Sequence, residues 1–289
     1  PCACLCNSKC ESFCSMLFNL KKKTSPRLTL PNIFGSVNSI PFNPLTLATY
    51  RAGYLMNLTN QIPSGSINHT ALSQWLDAIL LDISAKYLQA NTDITVPETI
   101  NGFQAFGFTG LVDQAYNIPF DLFNSVTDYT QVIGFKKVSG DQGFLFYRRN
   151  ATFTNESWIF MRTPGILEIQ LGNGVGGAGT RIIAQTVNQY NDGNPHIVIA
   201  TYNQSTKQID LFTDLGEHII ASNVAYLSGS LNAGSQFDIM LGQWSYAGLS
   251  FNQGLFGDMF LYSSILSITD INKLMSYEAT RLGISYTPF

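Results

Sequence analysis

The sequence has no cysteine after Cys14, although the chain runs for 289 residues. A domain formed by the later residues must therefore be stabilised by its hydrophobic core and not by disulfides. Histidine is also scarce, with three residues in the whole chain. Neither a catalytic Cys/His pair nor a structural zinc site is predicted from so few ligands. We expect no metal and no cofactor on this count.

Charge is scarce as well: 12% of residues are charged and the net charge is -3. Without a basic face, nucleic acid is not an expected partner. No run approaches the roughly 20 apolar residues that a membrane-spanning helix needs. The 45% of hydrophobic residues argue against disorder and for a large core. The 24 glycines, 20 phenylalanines and 13 tyrosines are typical of turns and strands.

The N-terminal segment 1–23 holds every cysteine of the chain and three consecutive lysines at 21–23. Its cysteines are Cys2, Cys4, Cys6, Cys10 and Cys14. Thiols beside a basic run are typical of an S-acylated membrane anchor. Disulfides within the segment or to a partner are a second interpretation, in which an odd number leaves one thiol to pair elsewhere. A metal site and an apolar tail buried against a neighbour are the remaining two.

Segment 24–41 contains prolines at 26, 31 and 41 and reads as an extended linker. We predict three parts: a Cys-rich arm over 1–23, this linker, and one domain over 42–289. Short β-rich runs bounded by turn residues follow one another through that domain. They lie at 129–138, 143–149, 158–162, 166–171, 181–187, 197–202, 208–212 and 237–241. Segment 73–88 has a helical apolar spacing and is interpreted as a helix or a strand pair.

The C-terminal stretch 254–284 changes period in its middle. Residues 254–262 are dense in aromatic and aliphatic residues, as in a buried strand. After Ser267 the apolar residues follow a helical stripe. Ser267 with Asp270 predicts a capped helix N-terminus, and Gly283 predicts its end.

This stretch resembles the last strand and helix of the laminin-G-like, concanavalin A-like lectin/glucanase domains. The positions that carry the resemblance are Gly254, Phe256, Gly257, Asp258, Tyr262, Leu266-Ser267 and Gly283-Ile284. The family usually has Glu where this chain has Asp258. The opening of the domain also resembles one subgroup, through Pro44-Leu45, Trp75-Leu76-Asp77, Pro97, Asn101-Gly102 and the strand 103–110. The first strand departs from that pattern, with Tyr54-Leu55-Met56-Asn57 in place of Trp-Leu-Asp-Ala.

The resemblance covers about 42–285 and implies an all-β fold: a two-sheet antiparallel jelly-roll sandwich with a short C-terminal helix, here preceded by the Cys-rich arm. The glucanase branch uses three acids on one strand as nucleophile and acid/base. The nearest strands carry only Glu168, or Asp210 with Asp214. We therefore expect no enzyme. Some members of the family hold calcium in a loop, which needs several oxygen ligands at one point. The acids at 113, 192, 214 and 238 are scattered along this sequence, so they could form a calcium site only if folding brings them together.

Two sequence motifs each have a ligand-binding interpretation and a purely structural one. Gly172, Gly174 and Gly177 match a dinucleotide-binding fingerprint, but a strand follows them instead of a helix, so a loop is predicted. Segment 243–252 joins aromatic rings to amides, as sugar sites do. Its candidate ligand-binding residues are Gln243, Trp244, Tyr246 and Asn252. The alternative is that Trp244 packs inside the sandwich.

Five glycosylation sequons occur, at Asn57, Asn68, Asn150, Asn155 and Asn203. Chance accounts for that many in a chain rich in Asn, Ser and Thr. Two functions remain: a non-catalytic lectin-like module that binds glycan or protein, or a structural component of a capsid or surface coat attached by its arm. Expected partners are a glycan or protein surface, neighbouring subunits, and a membrane at the arm. The expected location is a virion or cell surface.

Overall fold

The structure is a computed structural model. It describes residues 42–47, 50–54, 57–58, 74–76, 87–90, 98–108, 116–117, 128–137, 140, 142–150, 156–172, 181–225, 237–241 and 254–289. The chain divides into two units, Pro1–Asn38 and Ser39–Phe289, and every described residue lies in the second. No helix among these residues is long and apolar enough to cross a membrane.

The first sheet has nine strands, all paired antiparallel. Seven lie side by side in the order β15 (His218–Ser222), β14 (Gln208–Thr213), β13 (Pro195–Asn203), β8 (Tyr129–Lys137), β17 (Gly254–Tyr262), β6 (Phe103–Phe108) and β2 (Asn57–Leu58). The other two add at the sides: β1 (Tyr50–Tyr54) pairs with β17, and β5 (Glu98–Ile100) pairs with β6.

The second sheet has eight antiparallel strands. Their order is β12 (Ile182–Gln189), β11 (Ile166–Gly172), β10 (Glu156–Arg162), β9 (Gly143–Asn150), β16 (Phe237–Leu241), β7 (Tyr116–Asn117), β4 (Tyr87–Ala90) and β3 (Gln74–Leu76). The strand pair β3–β4 falls at the two ends of segment 73–88. The described residues there are therefore strands, as the second interpretation of that segment predicts.

One hydrophobic core fills the space between the two sheets. It takes mostly alternate residues from the long strands of both sheets, because successive side chains of a strand point to opposite faces. Ile133 and Phe135 of β8 meet Ile159 and Met161 of β10 in this core, and all four are buried. The architecture is therefore a two-layer β-sandwich, and the strand bounds agree with the predicted runs to within two residues.

Helix α1 (Ile268–Leu282) covers the outer face of the nine-stranded sheet. The Ser267 hydroxyl accepts a hydrogen bond from the Asp270 N–H at the first turn. Gly283 ends the helix with a φ of 73°, a left-handed conformation that suits glycine. Asn101 Nδ2 donates to the carbonyls of Thr280 and Arg281, at 3.3 and 3.1 Å. The Asn101-Gly102 turn thus caps the helix that ends the domain.

Two glycines let α1 approach the sheet closely. A Cβ at Gly257 would lie 3.0 Å from Leu282 and 3.2 Å from the Gly134 backbone. A Cβ at Gly134 would lie 3.1 Å from the Glu278 carboxylate. Alanine at either site would require these neighbours to move by a few tenths of an ångström, since the contacts are tighter than ordinary packing.

A buried ion pair joins α1 to β17. The Arg281 guanidinium donates to both oxygens of Asp258, with Nη2–Oδ1 at 3.1 Å, and both side chains are fully buried. The guanidinium also lies 4.4 Å from the Phe103 ring centroid. Burial, and then the nearby Asp258 charge, raises the pKa of Glu278 well above its usual value. The raised pKa favours the neutral form of Glu278, and Arg281 is the paired cation of Asp258.

Candidate functional site

The residues predicted to bind a ligand, Gln243, Trp244, Tyr246 and Asn252, lie outside the described residues, so that hypothesis stays a prediction. The five cysteines of the arm lie outside them too, as do Asp113 and the sequons Asn68 and Asn155. Of the other sequons, Asn57 begins β2, Asn150 ends β9, and Asn203 ends β13.

A second, smaller aromatic cluster lies on the outer face of the eight-stranded sheet, away from the core. It consists of Phe144 and Tyr147 of β9 with Trp158 and Phe160 of β10. The Trp158 ring stacks on Tyr147 with a centroid distance of 6.3 Å and an interplanar angle of 27°. Phe144 packs against Phe160 at 4.5 Å. Strand alternation places Trp158 and Phe160 on this face, because Ile159 between them points into the core. On β9, a register shift places Leu145 and Phe146 both in the core, so Phe144 and Tyr147 share the outer face.

Glu168 of β11 lies at the centre of a group of polar contacts on the same outer face of the eight-stranded sheet. Its Oε1 accepts from the Trp158 indole N–H at 3.3 Å. Its Oε2 accepts from Gln185 Nε2 at 2.5 Å and from Arg162 Nε at 2.6 Å. The carboxylate is 1% exposed, and three donors from β10 and β12 occupy its two oxygens. Glu168 therefore positions three neighbours, and it is poorly placed to take a proton from a substrate.

The three side chains that donate hydrogen bonds to Glu168 are partly or fully exposed to solvent. The Arg162 side chain is 48% exposed, Gln185 is exposed and Trp158 is half-buried. Arg162 also lies 5.9 Å from the Phe160 ring centroid. We call Trp158, Arg162, Glu168 and Gln185 the Glu168 face. It presents an indole, the free end of a guanidinium and a carboxamide within one patch of three strands.

One polar group beside the Glu168 face has no partner. Gln170 lies opposite Trp158 on the neighbouring strand. Its Nε2 is buried without a hydrogen-bond partner in the structure, although buried amides are normally satisfied. An unsatisfied donor costs about 1–3 kcal/mol.

A different polar centre surrounds His196 at the start of β13. Nδ1 lies 3.1 Å from Asp214 Oδ2, and Nε2 lies 3.0 Å from Asp192 Oδ1. The other Asp214 oxygen accepts the Ile197 N–H at 2.9 Å. Burial alone would lower the pKa of His196, but the bonds and charges of Asp214, and then of Asp192, outweigh burial and raise it. Because both ring nitrogens face carboxylates, the arrangement favours the protonated form of the ring, in which both nitrogens donate.

The described acids do not form the triple of a glucanase. Glu168 lies on β11 in the eight-stranded sheet, whereas Asp210 lies on β14 in the other sheet. No group of three or more His, Cys, Asp or Glu side chains within the described ranges converges as a metal site requires. The glycine-rich segment that begins at Gly172 leads into strand β12, as predicted, and so offers no helix N-terminus to a phosphate there.

No protein-family model matches the sequence, and comparison with curated proteins finds no significant match. In structure, the chain is similar to laminin G-like domains and to lectin-like jelly-roll modules of sialidases. Domains LG4-5 of the mouse laminin α1 chain align with 13% identity and a TM-score of 0.46, over 60% of this chain and 45% of theirs.

The CBM40 module of a Ruminococcus gnavus IT-sialidase aligns with 17% identity and a TM-score of 0.45, over 63% of this chain and 95% of the module. A structure of that module bound to α2,3-sialyllactose aligns with 19% identity and a TM-score of 0.40, over 53% of this chain and 83% of the module. The Streptococcus pneumoniae NanB sialidase aligns over 58% of this chain and 26% of its own length, with 16% identity and a TM-score of 0.46. These likenesses concern the fold and transfer no residue or ligand to this chain.

Sequence reasoning missed the Glu168 face because its residues lie on three different strands, and strand register brings them together. The signal that could have revealed it is alternation: Trp158, Phe160 and Arg162 share one face of β10, and Glu168 and Gln170 share one face of β11. In each of these strands, aliphatic residues alternate with aromatic, charged or amide residues. This alternation indicates that one face of the strand packs in the core and that the other face is outside it.

Proposed function

We propose that this chain is a non-catalytic binding module that holds a glycan on the Glu168 face. The observation that carries the proposal is the half-buried Trp158 ring, fixed through its indole N–H by Glu168 and flanked by the accessible ends of Arg162 and Gln185. A sugar offers a C–H face that stacks on an aromatic ring, and hydroxyls that pair with amides and guanidinium groups. Fixing those groups before binding reduces the entropy lost when the ligand is held.

The geometry favours binding over catalysis. A hydrolytic site needs a carboxyl group free to give or take a proton beside the scissile bond. The carboxylate of this face is already bonded to three donors. The structural role in a coat and the attachment by the cysteine arm stay predictions, since the arm lies outside the described residues.

The test is a glycan array probed with the full chain, followed by calorimetry on the strongest ligands. α2,3- and α2,6-sialyllactose and lactose are included, because the Ruminococcus gnavus module was solved with each of the two sialyllactoses. We expect Arg162→Ala and Gln185→Ala each to weaken binding about tenfold, the effect of losing a hydrogen bond of about 1.4 kcal/mol.

Gln189→Ala is the matched control. It removes an exposed amide from β12, the strand that also carries Gln185, at a site about 13 Å from Gln185 along the strand. Binding in that variant is expected to equal wild type. The proposal is wrong if no glycan binds, or if a bound glycan is unaffected by both Arg162→Ala and Gln185→Ala in protein that still unfolds at the wild-type temperature.

A further inference from the structure

The ends of the two sheets differ in how well they are protected against pairing with another chain. The ends formed by β2 and β3 are two and three residues long, and short edge strands resist such pairing. At β12, Glu217 Oε1 accepts the N–H groups of Val187 and Asn188, at 2.6 and 3.1 Å. The β11–β12 register also shifts there. These features occupy or distort the β12 edge.

Strand β15 has none of these protections. It is five residues long, His218–Ser222, and contains no lysine, arginine or proline. Its pairing with β14 runs in unbroken register from Phe212↔His218 to Gln208↔Ser222. No described strand pairs with its other side. Such a strand end normally carries a charge, a proline or a bulge.

Two backbone hydrogen bonds show which groups face the open edge. The Thr213 N–H donates to Glu217 O, and the Asn223 N–H donates to Lys207 O. Bonding residues alternate along an antiparallel strand, so the odd-numbered positions between them face β14. The N–H and C=O groups of His218, Ile220 and Ser222 therefore point outward, away from the sheet.

An exposed aliphatic surface accompanies this edge. Ile220 is 58% exposed and Val224 is 84% exposed. On the adjacent β12, Ile183 is 40% and Val187 86% exposed. Asn223 Nδ2 donates to Arg181 O at 2.9 Å, and Glu217 bonds Val187, so the two strand ends adjoin. Ile220 lies on the outer face of the nine-stranded sheet, since Ile219 and Ala221 on either side of it pack against the core.

We infer that β15 is a dimerisation edge, which pairs antiparallel with β15 of a second copy of this chain about a twofold axis at Ile220. Ile220 is the central residue of the strand and one whose backbone groups face outward. The pairing places Ile220 against its own copy and His218 against Ser222, so no like charges face each other. Three outward residues on each copy give about six backbone hydrogen bonds. The two Ile220 side chains become cross-strand neighbours on one face.

The second copy fits this edge because the edge is self-complementary. An antiparallel match about a central residue is the symmetry of an isologous dimer. The two nine-stranded sheets then form one continuous sheet, and each copy covers the exposed Ile220 of the other. The inference does not depend on any ligand of the Glu168 face.

The test is sedimentation velocity of the full chain over a range of concentrations, in excess reductant so that the N-terminal thiols cannot link copies. Wild type is expected to dissociate from dimer to monomer on dilution. Ile220→Lys is expected to weaken dimerisation at least about tenfold, because like charges directly opposite in a sheet repel. Ile265→Lys is the control, since Ile265 is 37% exposed and lies between β17 and α1. It is expected to dimerise as wild type does.

Wild type that is monomeric at every concentration overturns the inference, and so does an Ile220→Lys variant that dimerises as well as wild type. Should that variant fail to fold, hydrogen exchange on wild type decides. The Ile220 and Ser222 amides are expected to exchange more slowly as concentration rises, and rates that do not depend on concentration overturn the inference. Ile220→Pro adds a third readout: it removes an N–H that points away from β14, so it should abolish dimerisation without breaking the pairing with β14.

Discussion

At the residue scale, His196 shows how a buried cation can be stabilised in a β-sandwich. Its ring is 2% exposed and touches Phe135 and Tyr190, which give it an apolar setting. Asp214 and Asp192 supply the opposing charges. Burying a charge without such partners would cost several kcal/mol, so the two carboxylates decide its protonation state.

This arrangement predicts a pH-dependent contribution to stability. The pKa of His196 is raised above its unfolded value of about 6.5. Its stabilisation is therefore complete below about pH 6.5 and is lost as pH rises through the folded pKa. The loss of unfolding free energy caused by His196→Gln should be larger at pH 6 than at pH 9, as measured by urea denaturation. An equal loss at both pH values would contradict the assignment of a charged ring.

Asp192→Asn is the companion variant, since Asp192 is 48% exposed and can be changed without opening the core. It removes one of the two charges that raise the pKa of His196. The pH-dependent part of the stability difference should shrink in this variant but not vanish, because Asp214 remains.

The position of the Glu168 face could not be predicted from its individual residues. Each of its members could be read from the sequence as a strand residue, but their convergence depends on the register of three strands. Trp158 meets Gln170, and Phe160 meets Glu168, only because β10 and β11 pair in that register. Register over a hairpin turn is set by turn geometry and core packing, which no single segment encodes.

At the scale of elements, local signals predicted the long strands and α1 well. The helix has a capping serine, an amphipathic stripe and a terminal glycine, all of which act within a few residues. The short strand β15 was not predicted, because Glu217-His218-Ile219-Ile220 follows a turn without a clear boundary. The attachment of α1 to the sheet was equally invisible, since Asp258 and Arg281 lie 23 positions apart.

That attachment predicts unequal effects for two ion pairs of α1. Arg281→Met should destabilise the domain by about 3–5 kcal/mol, because it leaves the fully buried Asp258 without its cation. Lys273→Met breaks a pair with Asp270 whose side chains are 48% and 26% exposed, and should cost less than about 1 kcal/mol. Urea denaturation of both variants measures the difference. Similar losses in the two variants would show that the buried pair does not hold the helix.

At the scale of the whole molecule, the described residues of the core include no cysteine, and the described residues begin at Phe42. Pro44 belongs to the domain, because its carbonyl accepts the buried Tyr262 hydroxyl at 3.2 Å. Lys273 lies 5.8 Å from the Phe42 ring centroid, which ties the same segment to α1. These contacts place the start of the folded unit before β1.

Fragment 42–289 should therefore fold by itself in excess reductant, with a β-type circular dichroism spectrum and one cooperative unfolding transition. Fragment 50–289 keeps every described strand but removes the Pro44 acceptor from Tyr262 and the Phe42 ring from Lys273. We expect it to be less stable by about 1–3 kcal/mol, the usual cost of depriving a buried hydroxyl of a partner. Thermal and urea unfolding of the two fragments side by side make the comparison. If 42–289 is disordered in reductant, the arm or its thiols take part in folding. If the two fragments are equally stable, the domain begins at β1 and the 42–49 segment only lies against it.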